Sequence, residues 1–345
     1  MAKNTDQFQQ HIHVFRGIAI ILIVCAHTVP SLDWSKSLLL GSFLNAIANQ
    51  SSIFFFFIAG YLFQYLSKGF VFSRYLKQKL RTVIFPYLLL SIPAIVVFTL
   101  MTQRVGMWSW FYELPIWGQT GLFLLTGKHL APLWFVPTIS LFYLAAPLFL
   151  FVDRRFPLAY WLIVPLLVLS GYLGRGGPLG PLNFAQYLLP FYLLGMVCCH
   201  YKDRSLQLIG RFWPLLALIA MGSLFGRALD WPSPPFWQVP FKLCMVLLLT
   251  WLLWKYHHVF GSSLDYIADI SFGIFFIHAY FIIALKLIAV YLVSGEIYKG
   301  VDTTVFDGGL LMYFSYVAVV LLVSVAVIWL TKKVFKKNSR MPIGA

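Results

Sequence analysis

Arg16 and His27 are ionisable side chains inside an otherwise aliphatic run at 14–30. Ten residues separate them. On a helix, the eleven steps from one to the other return to within roughly 20° of the starting direction, about 16 Å further along the axis. An imidazole can take a proton from a hydroxyl near neutral pH, and a guanidinium can grip a phosphate. Ionisable groups at bilayer depth face an interior path by default. Singly, each has a plainer explanation: Arg16 can snorkel to headgroups, and His27 can be a satisfied interfacial histidine. A shared face makes one common site the better explanation.

Other residues could join that chemistry. Ser271 and His278 lie seven apart, which puts them on one helical face. For His278, core packing with a hydrogen bond competes evenly with catalysis. Asn45, Asn49 and Ser52 form a polar stripe by their spacing, and Gly60 would let a backbone or a ligand come close. The stretch 68–81 holds five cations. Such a run usually contacts lipid or sets topology, or it attracts an anionic cofactor. Lys79 and Arg81 stand out because they sit where the chain enters the next apolar segment. The segment 105–131 is rich in aromatics and carries Glu113. It reads as an interfacial belt or re-entrant piece ahead of a lid or sugar platform. Trp134 follows it and could wall a pocket. Cys25, Cys198, Cys199 and Cys244 lie in apolar runs without paired spacing, as buried thiols do. No metal site is expected.

The elements that must position these residues are membrane spans. The chain has 345 residues, 60% hydrophobic and 11% charged, with a mean hydropathy of +0.82. These values exceed those of a soluble domain. Ten helical spans are predicted near 14–30, 43–66, 83–103, 132–152, 158–173, 184–200, 212–229, 239–256, 271–293 and 309–331. The fifth is short, and the seventh is interrupted by Gly222 and Gly226. The first span has a signal-peptide-like start, but cleavage would remove Arg16, so retention is expected. With both termini cytoplasmic, eighteen lysines and arginines fall inside, among them Lys3, Lys337 and Arg340. Lys36, Lys128, Arg175 and Lys299 then fall in the outer loops. That asymmetry fixes the orientation and accounts for the net charge of +15 without nucleic acid. The expectation is an all-α polytopic bundle forming one domain over 1–345.

The motifs together resemble the integral membrane acyltransferase-3 family, whose best-known members O-acetylate bacterial surface polysaccharides. Arg16 and His27 match its first-helix signature of a basic residue, ten residues and a histidine. Residues 54–61 resemble its aromatic run, with Ala59 in place of the usual serine. Lys79, Arg81 and Pro86-Tyr87 resemble its basic approach to the third helix, with Lys-x-Arg spacing where some members have Arg-x-x-Arg. Leu133-Trp134-Phe135, residues 190–195 and residues 271–278 resemble later motifs in the right order. The resemblance covers nearly the whole chain. It implies acyl transfer from cytosolic acyl-CoA, with acetyl-CoA the expected donor, to a hydroxyl of a lipid-linked or exported glycan at a bacterial-type inner membrane. Arg16, Lys79 and Arg81 would receive the donor. His27 would act as general base or as a transient acyl carrier, with Asn49, Ser52, Gly60, Trp134, Ser271 and His278 as supporting residues. The rival class is a secondary transporter or flippase, which would need inverted repeats; none is detectable.

Overall fold

The computed structural model describes residues 3–49, 51–177, 180–231, 234–295, 304–336 and 344, with the side chains of 3–9, 234, 235 and 262 excepted. The cations Lys3, Lys299, Lys337 and Arg340 of the charge asymmetry lie outside the described side chains. The helices are α1 (Lys3–Thr28), α2 (Leu38–Ala48), α3 (Ser51–Tyr65), α4 (Phe72–Lys79), α5 (Phe85–Val96), α6 (Ile116–Thr126) and α7 (Phe135–Arg155). They continue as α8 (Ile163–Leu173), α9 (Pro181–His200), α10 (Lys202–Ala228), α11 (Pro234–Tyr256), α12 (Ser262–Asp269), α13 (Ser271–Ser294) and α14 (Leu310–Phe335). Among the described residues there is no β-strand, and nine helical stretches are long and apolar enough to cross a membrane. The all-α polytopic fold expected from hydropathy is the one observed.

Several local details differ from the sequence expectation. The predicted span 158–173 is a 3-10 turn, Pro157–Leu162, running into α8. Six residues at about 2 Å and eleven at about 1.5 Å give roughly 28 Å, close to the thickness of a hydrocarbon core. The predicted span 43–66 takes in the end of α2 and all of α3, with a turn at Asn49, and lies within one candidate span, Leu38–Tyr65; Gln50 is outside the described residues. Helix α10 is not interrupted at Gly222 or Gly226: a helix that keeps its own backbone bonds is the cheapest state where water is scarce. The third span begins earlier, at Phe72, and contains two π-helical turns, Leu80–Ile84 and Val97–Met101. Pro86 cannot donate to the carbonyl four residues back, which accounts for the first of them.

The chain divides into two compact units. The first comprises Met1–Ile23, Leu39–Tyr75 and Leu144–Asp269; the second comprises Val24–Leu38, Leu76–Tyr143 and Ile270–Ala345. The first unit centres on α3 packed along α9. Their backbones nearly touch: a Cβ at Gly60 would lie 2.0 Å from the Tyr192 carbonyl oxygen, and one at Gly195 would lie 2.1 Å from that of Phe57. Around this crossing Phe54, Phe56, Phe57, Tyr61, Phe191 and Tyr192 are buried. A second layer forms where Ala220 of α10 meets Phe241, Cys244 and Leu248 of α11.

The second unit holds α13 against α14. Tyr316 donates its hydroxyl to the Ile282 carbonyl (2.9 Å) and Tyr313 to that of Cys25 (3.1 Å). The segment 105–131 is folded, with α6 and a short turn at Phe111–Glu113. Phe111 and Phe123 are fully buried against each other, their rings 4.7 Å apart, while Trp117 stays exposed. Lys128 sits 4.0 Å over the Trp108 ring, and the Arg104 backbone N–H donates to the Tyr112 hydroxyl (2.5 Å). His129 anchors the segment: its Nδ1–H donates to the Phe123 carbonyl (3.0 Å), and Ser91 Oγ of α5 lies 2.8 Å from its Nε2.

Two predictions follow from these contacts. Gly60→Ala and Gly195→Ala must force α3 and α9 apart, at a cost of about 1–3 kcal/mol or more each. Gly222→Ala, which meets nothing within 4 Å, should be neutral or stabilise by roughly 1 kcal/mol. Denaturant unfolding in detergent micelles compares the three; equal stabilities would refute the close crossing. Burial, reinforced by Arg104, pushes the His129 imidazole down to about 4, against the opposing pull of the Phe123 carbonyl. Neutral His129 is therefore what the folded segment holds. Its contribution, on the order of 3 kcal/mol, is complete above about pH 6.5 and is lost as the pH falls toward 4. Acrylamide quenching of tryptophan should increase across that interval, and less so in His129→Gln.

Candidate active site

Helix α1 is continuous from Lys3 to Thr28 and carries both Arg16 and His27. Arg16 belongs to the first unit and His27 to the second.

In the first unit, α12 lies directly on α1. A Cβ at Gly17 would stand 2.9 Å from both the carbonyl oxygen and Cδ1 of Leu264, so Gly17 makes that seat. The contact is then held by polar groups one turn back. Gln10 donates its amide to Asp265 Oδ1 (2.7 Å), and His13 donates Nε2–H to the Asp265 backbone carbonyl (3.2 Å). The carbonyl can only accept, so the Nδ1 of a neutral His13 is a lone pair. Arg16 Nη2 donates to it at 3.3 Å. His13 thus orients the guanidinium. Ile12, His13, Arg16, Leu62, Tyr65 and Leu66 line a cavity of about 240 Å³. A half-buried guanidinium on a cavity of that size is suited to an anionic group entering from water.

The other sequence candidates of this unit are Asn49, Ser52 and Gly60. Asn49 bonds to Asn45 within its own turn, Ser52 is the second residue of α3, and the neighbour that Gly60 admits is the Tyr192 carbonyl.

In the second unit, the His27 and His278 rings approach to 5.4 Å between centroids. His278 is completely buried and donates Nδ1–H to the Ile274 carbonyl at 2.8 Å. Its Nε2 has no hydrogen-bond partner among the described residues, nor does the hydroxyl of buried Ser271. Phe275 flanks His278 at 6.4 Å. Lys79 is half-buried, its ammonium 5.1 Å from the centre of the Tyr143 ring, while Arg81 is exposed within the π-helical turn. Trp134 ends a 3-10 turn, Ala131–Trp134, and meets Phe135 edge-on.

Several polar groups escaped the sequence reading. His13 lies three residues before Arg16, a spacing that places two side chains together on a helix and could have been noticed. A lone lysine in an apolar run was the available signal for Lys242, which is buried and donates to the Tyr187 hydroxyl at 3.1 Å. Buried Asp153 accepts from Tyr160 (2.6 Å), His200 Nδ1 (2.8 Å) and Gln64 (2.9 Å). These partners come from distant parts of the chain, and no local pattern announces them.

Replacing His13 by Ala removes both its bonds and should cost about 1 kcal/mol for each. Hydrogen exchange should accelerate in α12, which then keeps only the Gln10 bond and the Gly17–Leu264 seat of the contacts described above. Unchanged protection of α12 would refute the clamp.

A family model described as an acyltransferase domain, that of acyltransferase-3, matches residues 10–332. No curated protein and no solved structure matches the chain. The match takes in α1 from Gln10 through most of α14, and with it Arg16, His27, Lys79, Arg81 and His278. The chain belongs to the acyltransferase-3 family, as a multi-pass membrane acyltransferase.

Proposed function

We propose that this protein is an O-acyltransferase that moves an acetyl group from cytosolic acetyl-CoA to a hydroxyl of a lipid-linked or exported surface glycan. We place it in a bacterial-type inner membrane with both termini in the cytoplasm. The observation that carries the reading is the Arg16 cavity in a chain of this family: a guanidinium held by His13 on an opening of about 240 Å³. CoA is rich in phosphate, and an oriented guanidinium recognises phosphate through parallel N–H bonds. Lys79 and Arg81 add positive charge on the donor's route.

His27 then acts as general base. The acceptor hydroxyl oxygen attacks the thioester carbonyl carbon while His27 takes the hydroxyl proton. The carbon–sulfur bond breaks as the ester bond forms. His27 returns the proton to the departing thiolate, so the enzyme ends as it began.

Arg16→Lys keeps the charge but loses the planar fork. It should weaken CoA binding, with Arg16→Ala losing roughly 1.5–3 kcal/mol. His27→Ala should bind donor normally and lose turnover by about 10²–10⁴. Calorimetry with CoA and mass spectrometry of acetylated glycan, on purified and folded variants, check both roles. Normal CoA binding by Arg16→Ala, or wild-type turnover by His27→Ala, would overturn the respective assignment.

A further inference from the structure

His13, His129 and His278 each donate one ring N–H to a backbone carbonyl: that of Asp265, Phe123 and Ile274 respectively. A carbonyl has no proton to give, so in each neutral ring the opposite nitrogen is a lone pair. For His13 that lone pair meets the Arg16 guanidinium, and for His129 it meets the Ser91 hydroxyl. For His278 it meets no hydrogen-bond partner among the described residues, although the ring is completely buried. Buried acceptors are normally answered, and one that is not calls for an explanation.

The neighbouring imidazole is that of His27, its centroid 5.4 Å from that of His278 with the planes inclined by 41°. Centroids this close leave room for an in-line N–H···N bond of about 3 Å after a small rotation of the His27 side chain. We propose that His278 is a positioning residue whose Nε2 accepts the ring N–H of His27. The proposal rests on His27 being the base, as argued above. A neutral His27 that gives its single N–H to His278 must present a lone pair at its other nitrogen, which is the form able to take a proton from a hydroxyl. When His27 takes that proton, its bond to His278 becomes charge-assisted and strengthens. The carbonyl of Ile274 completes the chain by preventing His278 from turning its own N–H toward His27. Exposure decides which ring meets the hydroxyl: His278 is 0% exposed, whereas His27 is only half-buried.

Two measurements test this on the full-length chain in lipid nanodiscs. With ¹⁵N-histidine labelling, the wild type should show a nitrogen–nitrogen coupling across the His27–His278 bond that is absent from His27→Ala and from His278→Phe. Failure to see that coupling in the wild type overturns the proposal, and this readout needs no substrate. The second measurement is thiol release from acetyl-CoA. His278→Phe should lose roughly tenfold to hundredfold in kcat, the usual penalty for removing a group that orients another, with KM for acetyl-CoA unchanged. His278→Gln, whose side-chain oxygen accepts near the position of Nε2, should stay within about tenfold of the wild type. Equal losses in the two variants, or a loss confined to KM, would also overturn it. Wild-type turnover by His27→Ala fails the base assignment instead, and the coupling would still report the pair.

Discussion

A polar group at bilayer depth has little water to turn to, so the backbone carbonyls of the helices become its acceptors. That constraint runs through the structure. Hydroxyls of Thr28, Thr250 and Ser324 bond to the carbonyl four residues back in their own helix. Tyrosines reach across to a neighbouring helix, as Tyr87 does to Leu124, Tyr280 to Leu90 and Tyr313 to Cys25. Histidines do the same with one nitrogen, and for them the bond has a chemical consequence. A hydroxyl that donates to a carbonyl is merely satisfied, whereas an imidazole that does so has its tautomer chosen for it.

Tautomer choice gives these histidines different tasks. His129 spends its second nitrogen on Ser91 and so ties 105–131 to α5, while His13 spends its own on orienting Arg16. His278 keeps a lone pair beside His27. Charge is managed in a comparable way. Asp153 is buried but takes three donors, and Lys242 is buried with a phenol and the Gln238 amide as acceptors. Groups supplied with this many partners act as fixed struts, which is what a scaffold for acyl transfer needs around the few side chains that must react.

Close backbone approach provides the other half of the scaffold. Without a hydrophobic driving force between helices in lipid, packing and small residues decide how they meet. Gly60 and Gly195 let α3 and α9 touch, and Gly17 lets α12 rest on α1. In the first case the aromatic rings around the crossing are locked in place, and in the second the donors that hold Arg16 come within reach.

The sequence by itself determined that the chain is a polytopic helical bundle, because runs of about 20 apolar residues have few other stable forms. It also singled out Arg16, His27 and His278, since an ionisable residue in such a run is conspicuous. Hydropathy could not determine how individual helices end. The turn at Asn49, the π-helical turn before Pro86 and the continuity of α10 through two glycines depend on local backbone bonding that a hydropathy window averages away. Only the tertiary structure decided the partners. His13 meets Asp265 across 252 positions, Asp153 meets Gln64 across 89, and the His27 ring finds His278 on another helix. Such pairings arise from which helix faces which, and a periodic pattern along one helix carries no record of its neighbour.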